Sequence, residues 1–292
     1  MNIKEILKKS IIILQNYKIK FPHLEAEILL SFVLKKPREF ILTHSEYELT
    51  TAQRTQYSKL INQKCQEKPT AYLTGGKEFY GLQFLVNKNV LIPRPETELM
   101  VECALAVLEN NINNRNLIVD IGTGSGCIII TIADFCSGKN KKYQNDYVAI
   151  DISKTALKVA RQNASLHNLK EVIKFLKGDL LSSFKNQKKY DNILFLANLP
   201  YLTKEQIKRS DSIKYEPKIA LIAGQDGLKY YKKLFKQINK ITKANFILLA
   251  EIDPSQRKKI TTEAKKCLPT TKITIKKDLK GHHRLLSIVN QG

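Results

Sequence analysis

Long apolar runs, paired cysteine motifs and arginine are all scarce in this 292-residue sequence. The longest apolar stretch beside a motif covers residues 127–132, includes Thr131, and is far shorter than the roughly 20 residues that a membrane span needs. The N-terminus has an amphipathic pattern and no cleavage site, so no secretory signal is evident. We therefore expect a protein that does not enter a membrane.

The five cysteines are scattered, and no two of them have CxxC spacing. An odd number of dispersed cysteines is typical of reduced thiols in a cytosolic protein, and it excludes a disulfide framework or a zinc site built on paired cysteines. The sequence therefore predicts a cytoplasmic protein that holds no metal.

Arginine supplies only 8 of the 49 basic residues, although the formal net charge is +22. Recognition of phosphates and bases favours the planar guanidinium of arginine, so a lysine excess of this kind is more typical of a solvated surface than of a built nucleic-acid site. The charge alone leaves nucleic-acid binding open.

The first third of the sequence predicts a small helical bundle, because apolar residues recur there at helical spacing. Two core stripes are expected: Ile3, Leu7, Ile11 and Leu14, and then Leu24, Ile28 and Phe32. A third helix is expected to begin at Thr50 or Thr51, where a hydroxyl can cap it, and to stop before Pro69. Strand formers and glycines between Gly75 and Ile92 predict a β-hairpin that links two domains.

From about Glu96 onward, short apolar runs alternate with helical patterns, which predicts a doubly wound parallel sheet with helices on both faces. Seven strands are predicted, at residues 117–121, 147–150, 172–176, 192–197, 246–251, 272–275 and 285–289.

A glycine-rich turn follows the first of these strands. Asp120 precedes a G-x-G-x-G pattern, which differs from the dinucleotide and P-loop patterns. Such a turn lets backbone amides and a helix N-terminus approach a ligand closely. The turn residues are Gly122, Thr123, Gly124, Ser125 and Gly126.

Two acidic residues follow the next two strands. Asp151 ends the second strand, where one carboxylate can bind both hydroxyls of a ribose, although a role in capping the next helix beside Ser153 is an alternative. Asp179 follows the third strand and is placed to accept from an adenine amine, with Leu180 beside the ring. The turn and the two acids together predict an adenosine-binding site.

The fourth strand is followed by Asn198, Leu199, Pro200 and Tyr201. This block resembles the Asn/Asp-Pro-Pro-Tyr/Phe mark of S-adenosylmethionine-dependent methyltransferases that act on planar amide or amino nitrogens. An amide nitrogen has a delocalised lone pair, so it must be held and oriented for in-line transfer. We expect Asn198 to accept from the substrate amide, a carbonyl near Leu199 or Pro200 to accept its second hydrogen, and Tyr201 to stack on the amide plane. Leu199 departs from the family pattern, which has proline there, and this is expected to loosen the loop.

Residues 91–98, Leu-Ile-Pro-Arg-Pro-Glu-Thr-Glu, resemble the signature of the HemK/PrmC family, the protein-(glutamine-N5) methyltransferases of peptide chain release factors. The resemblance covers nearly the whole chain and implies a class I, Rossmann-like methyltransferase fold. It also implies an N-terminal helical substrate-recognition domain (1–74), a hairpin linker (75–95) and an S-adenosylmethionine-dependent methyltransferase domain (96–292).

The resemblance implies methyl transfer to the glutamine of the Gly-Gly-Gln motif of class I release factors, which supports translation termination, with S-adenosylhomocysteine as the product. Arg94 and Glu96 would then lie beside the pocket and bind substrate, although an interdomain ion pair or a helix cap is an alternative for them. A metal at His282 and His283 is not expected, because adjacent residues on a strand point to opposite faces. We expect a monomer with no stable nucleic-acid partner.

Three other functions stay open at this stage. The glutamine of a ribosomal protein is one alternative substrate, and an amino group of a nucleic-acid base is another. A third hypothesis is a binding module in which Leu199 has disabled catalysis.

Overall fold

The computed structural model describes residues 1–138, 143–185, 190–208, 213–241 and 245–290. The chain divides into two compact units. The first holds Met1–Gly76 and the described residues 213–215, and the second holds Lys77 onward and Glu216 onward. Within the described ranges, each helix is too short or too polar to cross a membrane.

The first unit is helical, as the sequence predicted. Its helices are α1 (Ile3–Asn16), α2 (Pro22–Leu34), α3 (Arg38–Thr43), α4 (Thr51–Cys65) and α5 (Thr70–Thr74). Thr50 caps α4 in a reciprocal capping box with Gln53, so the expected start of this helix is confirmed. The core closes on Tyr57, whose buried hydroxyl donates to the Ala26 carbonyl at 3.1 Å.

One predicted core stripe is wrong. Leu24 and Phe32 are exposed, whereas Ala26, Leu30 and Leu34 of the same helix are buried. Helix α2 is apolar on more than one face, so periodicity alone does not choose which face packs. The packing of α1 and α4 against it makes that choice.

A hairpin follows, β1 (Gly76–Phe79) and β2 (Leu82–Leu85), which belongs to the second unit from Lys77 onward. Phe79 and Phe84 are buried in the same cluster as α6 (Glu98–Asn110), so the hairpin packs into the second unit. The later elements are β3 (Arg115–Ile121), α7 (Cys127–Gly138), β4 (Gln144–Asp151), α8 (Lys154–Leu166), β5 (Ile173–Lys177), β6 (Asn192–Ala197), α9 (Lys204–Lys208), α10 (Lys229–Ile241), β7 (Phe246–Glu251), α11 (Arg257–Cys267), β8 (Lys272–Lys277) and β9 (His283–Asn290).

Seven strands form one sheet in the order β5-β4-β3-β6-β7-β9-β8, which confirms the predicted strand number. The sheet is mixed, because β9 runs antiparallel to both β7 and β8 while the pairs from β5 to β7 are parallel. Helices α10 and α11 cover one face, and α6, α7 and α8 cover the other. The chain runs outward from β3 through β4 to β5 and then returns to the other side of β3 as β6. A crevice for ligands opens at this switch point, beyond the carboxyl ends of β3 and β6.

Candidate active site

The glycine-rich turn leaves β3 and enters α7 with three glycines at positive φ. The Gly122 and Thr123 amides donate to the Ile150 carbonyl at 2.8 and 3.0 Å, which ties the turn to the end of β4. Gly126 has a φ of 83°, and a Cβ there would lie 2.8 Å from the Ile130 side chain and 3.3 Å from the Ala160 Cβ, so another residue at this position would be strained. The turn is therefore held in one shape at the mouth of the crevice.

Asp120 lies beneath this turn and is fully buried. Its Oδ2 accepts from the Thr123 hydroxyl at 2.6 Å, and its Oδ1 has no hydrogen-bond partner among the described residues. Burial raises the pKa of Asp120 to about 7, against the lowering effect of the Thr123 hydroxyl. Asp120, which was predicted to bind the cofactor, thus lies under the turn and holds the Thr123 side chain by a hydrogen bond.

Asp151, the last residue of β4, has both carboxylate oxygens in use. Oδ2 accepts from the Gly124 amide at 2.9 Å, and Oδ1 accepts from the Ser153 amide at 2.8 Å. Burial raises the pKa of Asp151, and these two amides oppose that shift. The cap of α8 is Ser153 itself, whose hydroxyl accepts from the Ala156 amide. Asp151 therefore joins the glycine turn to the start of α8 and still faces the crevice.

The turn after β5 is tied to Asp151 as well, because the Gly178 amide donates to the Asp151 carbonyl at 3.0 Å. Leu180 has a φ of 55°, an uncommon left-handed conformation for a branched side chain. The Asp179 carboxylate forms an ion pair with Lys233 of α10. The two acids predicted to bind an adenosine are thus neighbours at one edge of the crevice.

Asn198 follows β6, and its side-chain nitrogen donates to the Thr97 hydroxyl at 3.1 Å. Thr97 in turn donates to Glu251 Oε2 at 2.6 Å, and the Tyr201 hydroxyl donates to Glu251 Oε1 at 3.2 Å. Glu251 ends β7 and is buried, which raises its pKa against the opposing effects of Thr97 and Arg284. Sequence reasoning assigned no role to Thr97 or Glu251. A signal that could have identified Glu251 is an acid at the end of an apolar strand, the same signal that identified Asp151.

Leu199 is held in place without the proline that the family pattern has there. Its side chain is 3% exposed and belongs to the core cluster beneath α10. Its amide, which a proline would lack, donates to the Tyr231 hydroxyl at 3.4 Å, and that hydroxyl also donates to the Glu251 carbonyl. The loop after β6 is therefore held by packing and by Tyr231. The expectation that it is looser than a loop with proline there stays a prediction.

The two residues predicted from the 91–98 block have partners within the second unit. Arg94 forms an ion pair with Glu216, a buried carboxylate that also accepts from the Ile92 amide at 3.0 Å. Glu96 Oε1 lies 3.2 Å from Lys280 Nζ. The pKa of Glu96 is lowered, chiefly by a hydrogen bond to its own backbone amide.

One cleft, partly open to solvent, is lined by most of these residues. Among the predicted site residues, its lining includes Arg94, Gly122, Thr123, Gly124, Ser125, Asp151, Asp179, Leu180, Asn198, Leu199 and Pro200. Four predicted residues do not line it: Glu96, Asp120, Gly126 and Tyr201. The stacking of Tyr201 on a substrate amide stays a prediction, since its hydroxyl is bound to Glu251 in this structure.

The cleft fits an adenosine-bearing cofactor. Ile152 and Ile219 line it although their side chains are about half exposed, so they offer apolar contacts to a flat ring. The carboxylates of Asp151 and Asp179 supply acceptors, and the glycine turn leaves its backbone open to close approach. Sequence reasoning missed the apolar lining because no motif distinguishes those residues.

A further residue outside the predicted set is Asn163, which is fully buried on α8. Its side chain donates to the carbonyls of Leu85 (3.0 Å) and Ser125 (2.8 Å) and accepts from the Leu85 amide (2.7 Å). One amide therefore joins the hairpin to the glycine-rich turn.

In the part of the chain that the structure describes, no group of three or more His, Cys, Asp or Glu residues is arranged to hold an ion. His283 begins β9, and its Nε2 lies 2.9 Å from an Arg257 nitrogen.

Two family models match the sequence. The model described as the PrmC N-terminal domain matches residues 5–75, and one described as a methyltransferase domain matches residues 112–282. The chain is 36% identical over 266 residues to a release factor glutamine methyltransferase of Clostridium acetobutylicum, with 89% of each chain covered. It is also 34% identical to the enzyme of the same name from Clostridium botulinum, with 88% of each covered. A bifunctional methyltransferase of Rickettsia typhi is 35% identical over 277 residues, and the chain spans about half (52%) of that protein.

Among solved structures, the catalytic domain of human METTL16 in complex with a MAT2A 3'UTR hairpin superposes with a TM-score of 0.55 at 14% identity, covering 89% of this chain and 91% of that one. The N-terminal domain of human METTL16 in complex with SAH gives a TM-score of 0.50, also at 14% identity, with 89% and 93% covered. At these identities, the likeness shows that the fold is that of a methyltransferase, and it says nothing about the substrate.

Proposed function

Because the chain belongs to the release factor glutamine methyltransferase family, we propose that it methylates the side-chain amide nitrogen of the glutamine in the Gly-Gly-Gln motif of class I peptide chain release factors. Such an enzyme would support translation termination and act in the cytoplasm. The observation that carries the proposal is that Asn198 and Pro200 line the same cleft as the glycine turn and Asp151. A site for a planar amide therefore adjoins a site for an adenosine.

We assign the cofactor S-adenosylmethionine to the edge of the cleft between the glycine turn and the β4 and β5 ends. The cofactor would supply a methyl group from its sulfonium, and the demethylated product would be S-adenosylhomocysteine. Asp151 would accept from ribose hydroxyls, and Asp179 from an adenine amine, with Leu180 and Ile152 beside the ring. All four residues line the cleft. The expectation that no metal takes part stays a prediction.

The substrate glutamine is assigned to Asn198 and the residues that follow it. Asn198 Oδ1 is the acceptor for one amide hydrogen, because Asn198 Nδ2 already donates to Thr97. A carbonyl near Leu199 or Pro200 accepts the other. The lone pair of the amide nitrogen forms the new N–C bond, the C–S pair stays on sulfur, and the surplus amide proton leaves to solvent. Positioning and polarisation supply the rate, so no strong base is required.

The assignment of regions follows from the same proposal. Residues 1–74 would recognise the release factor, residues 75–95 would link the two parts, and residues 96–292 would carry catalysis. Arg94 and Glu96 remain candidates for contact with the substrate, and their ion pairs with Glu216 and Lys280 would have to rearrange for that contact. We expect the enzyme to act as a monomer.

The test is transfer of labelled methyl from S-adenosylmethionine to a bacterial release factor by the purified full chain. Asn198→Ala should lower kcat at least ~100-fold, as loss of one oriented hydrogen bond does in comparable sites, while the affinity for S-adenosylmethionine stays within about threefold. Asn192→Ala is the matched control. It changes the same residue type at the opposite end of β6, where the side chain contacts Asn116, and it should leave transfer unchanged.

The acceptor is identified in the same assay. Replacing the glutamine of the factor's Gly-Gly-Gln motif by alanine should abolish labelling of that factor. Label that persists on the altered factor, or that appears instead on a ribosomal protein or on RNA, would reject the proposed substrate. Cofactor binding with no transfer to any of these acceptors would favour a binding module.

A further inference from the structure

The contacts of Asn198 suggest how its side chain is oriented. A side-chain amide can present either its oxygen or its NH2 group to a substrate, and only the oxygen accepts a hydrogen bond. Asn198 is partly exposed at the cleft, and its nitrogen side meets Thr97, whose side chain is buried.

Glu251 makes Thr97 an acceptor toward Asn198. A carboxylate only accepts, so the single proton of the Thr97 hydroxyl points to Glu251 Oε2 at 2.6 Å. The Thr97 oxygen then has only lone pairs left for Asn198, and it can receive only the NH2 group, at 3.1 Å. The Asn198 oxygen is left facing the cleft. We call this series, from Glu251 through Thr97 to Asn198, the hydrogen-bond relay.

We propose that Thr97 and Glu251 are positioning residues, which fix the side-chain amide of Asn198 with its oxygen toward the substrate. The inference rests on the proposed function and adds to it a specific orientation device. The relay joins residues from three places in the chain: a helical turn before α6, the end of β6 and the end of β7.

Burial is the largest effect on the pKa of Glu251 and raises it, and the groups that contact the carboxylate oppose that shift. Its other oxygen accepts from the Tyr201 hydroxyl at 3.2 Å, and the positive charge of Arg284 favours the carboxylate. The negative charge of Glu96 acts in the same direction as burial and raises the pKa of Glu251. Tyr231 donates to the backbone carbonyl of Glu251 and so holds the end of β7. Two hydroxyl donors and one cation thus converge on this buried carboxylate.

The relay is tested by removing only the hydroxyl of residue 97. Thr97→Val keeps the shape of the side chain and should lower kcat about tenfold or more, since it removes one orienting hydrogen bond. KM for the release factor and affinity for S-adenosylmethionine should change less than about threefold. Thr97→Ser keeps the hydroxyl and should restore most of kcat. Thr97→Ala, which cannot crowd the site, should behave like Thr97→Val.

A second measurement needs no substrate. In protein labelled with [15N]asparagine, the side-chain signals of Asn198 are assigned by their loss in Asn198→Asp. Their hydrogen exchange should be about tenfold or more faster in Thr97→Val than in the wild type. Thr123→Val is the matched control, because it removes the hydroxyl of another buried threonine, which donates to Asp120, and it should not alter the Asn198 signals.

The two measurements separate the two proposals. If the wild type does not methylate release factors, and the Asn198 side chain exchanges faster in Thr97→Val than in the wild type, the proposed substrate is rejected and the relay is supported. A wild-type enzyme that methylates them, with kcat of Thr97→Val within twofold and unchanged Asn198 exchange, would overturn the relay and leave the proposed function standing.

Discussion

Removing the Asn163 side chain should loosen the glycine-rich turn from a distance. The Asn163→Ala variant leaves three backbone groups without their partner: the amide and carbonyl of Leu85 and the carbonyl of Ser125. Leu85 is 43% exposed, so water can replace its lost bonds at a cost of about 0.5–1 kcal/mol each. Ser125 is buried, so its orphaned carbonyl costs roughly 1–3 kcal/mol. The expected loss of stability is about 2–5 kcal/mol.

Two further variants test the origin of this loss. Asn163→Asp keeps the acceptor for the Leu85 amide but places a buried carboxylate beside two carbonyl oxygens, so it should destabilise the protein at least as much as Asn163→Ala. Ser165→Ala is the control on the same helix. Its exposed hydroxyl donates to the Arg161 carbonyl one turn earlier, and its loss should cost less than ~0.5 kcal/mol.

The assay is urea unfolding followed by circular dichroism, combined with amide hydrogen exchange read by mass spectrometry. Exchange should become roughly 30-fold or more faster in peptides that contain β2 and residues 122–126, because each 1.4 kcal/mol is a factor of ten. Peptides from α1 and α2 should keep their protection. A stability within ~0.5 kcal/mol of the wild type, or faster exchange spread evenly over the chain, would refute the reasoning.

Two other predictions follow from the site. The folded-state pKa of Asp120 is raised from 3.8 to about 7, so the stability due to its proton is complete below pH 4 and is lost as the pH rises through 7. Between pH 5 and pH 8, urea unfolding should therefore show the wild type losing about 3 kcal/mol more than Asp120→Asn, and equal losses would contradict this. Gly227→Ala would push a Cβ into the Gln256 side chain and the Tyr201 carbonyl and should lower both Tm and kcat. Gly224→Ala has a similar positive φ but meets nothing closer than 3.6 Å, so it should cost less, and equal effects would show that backbone strain alone is responsible.

The secondary structure of the second unit was largely predictable from the sequence. Strands β6 and β7 match their predicted bounds, and the ends of the others differ by a few residues. The reason is that a buried strand bounded by turn residues is a local pattern. Helix α2 shows the limit of that reasoning. Its apolar residues cover more than one face, and the predicted stripe of Leu24 and Phe32 is exposed.

The candidate site divides in the same way. Neighbours a few positions away were enough to recognise the glycine turn, Asp151, Asp179 and Asn198. The three side chains and most of the turn line the cleft. The partners of these residues were not recognised. Arg94 is paired with Glu216, 122 positions away, and the Asn163 amide reaches Leu85, 78 positions away. No local pattern specifies contacts over such separations.

By itself, the sequence determined most of the elements of the second unit, where the candidate ligand-binding turns lie, and which residues are candidates to bind the cofactor and the amide, because these depend on short-range periodicity and turn chemistry. The tertiary structure alone decided that β6 returns beside β3, that β9 runs antiparallel, and that Thr97 lies between Glu251 and Asn198. Thr97 is 154 positions from Glu251 and 101 from Asn198. Their meeting depends on the order of strands in the sheet, which is set by the packing of both faces at once, and that packing gives the Asn198 amide its direction.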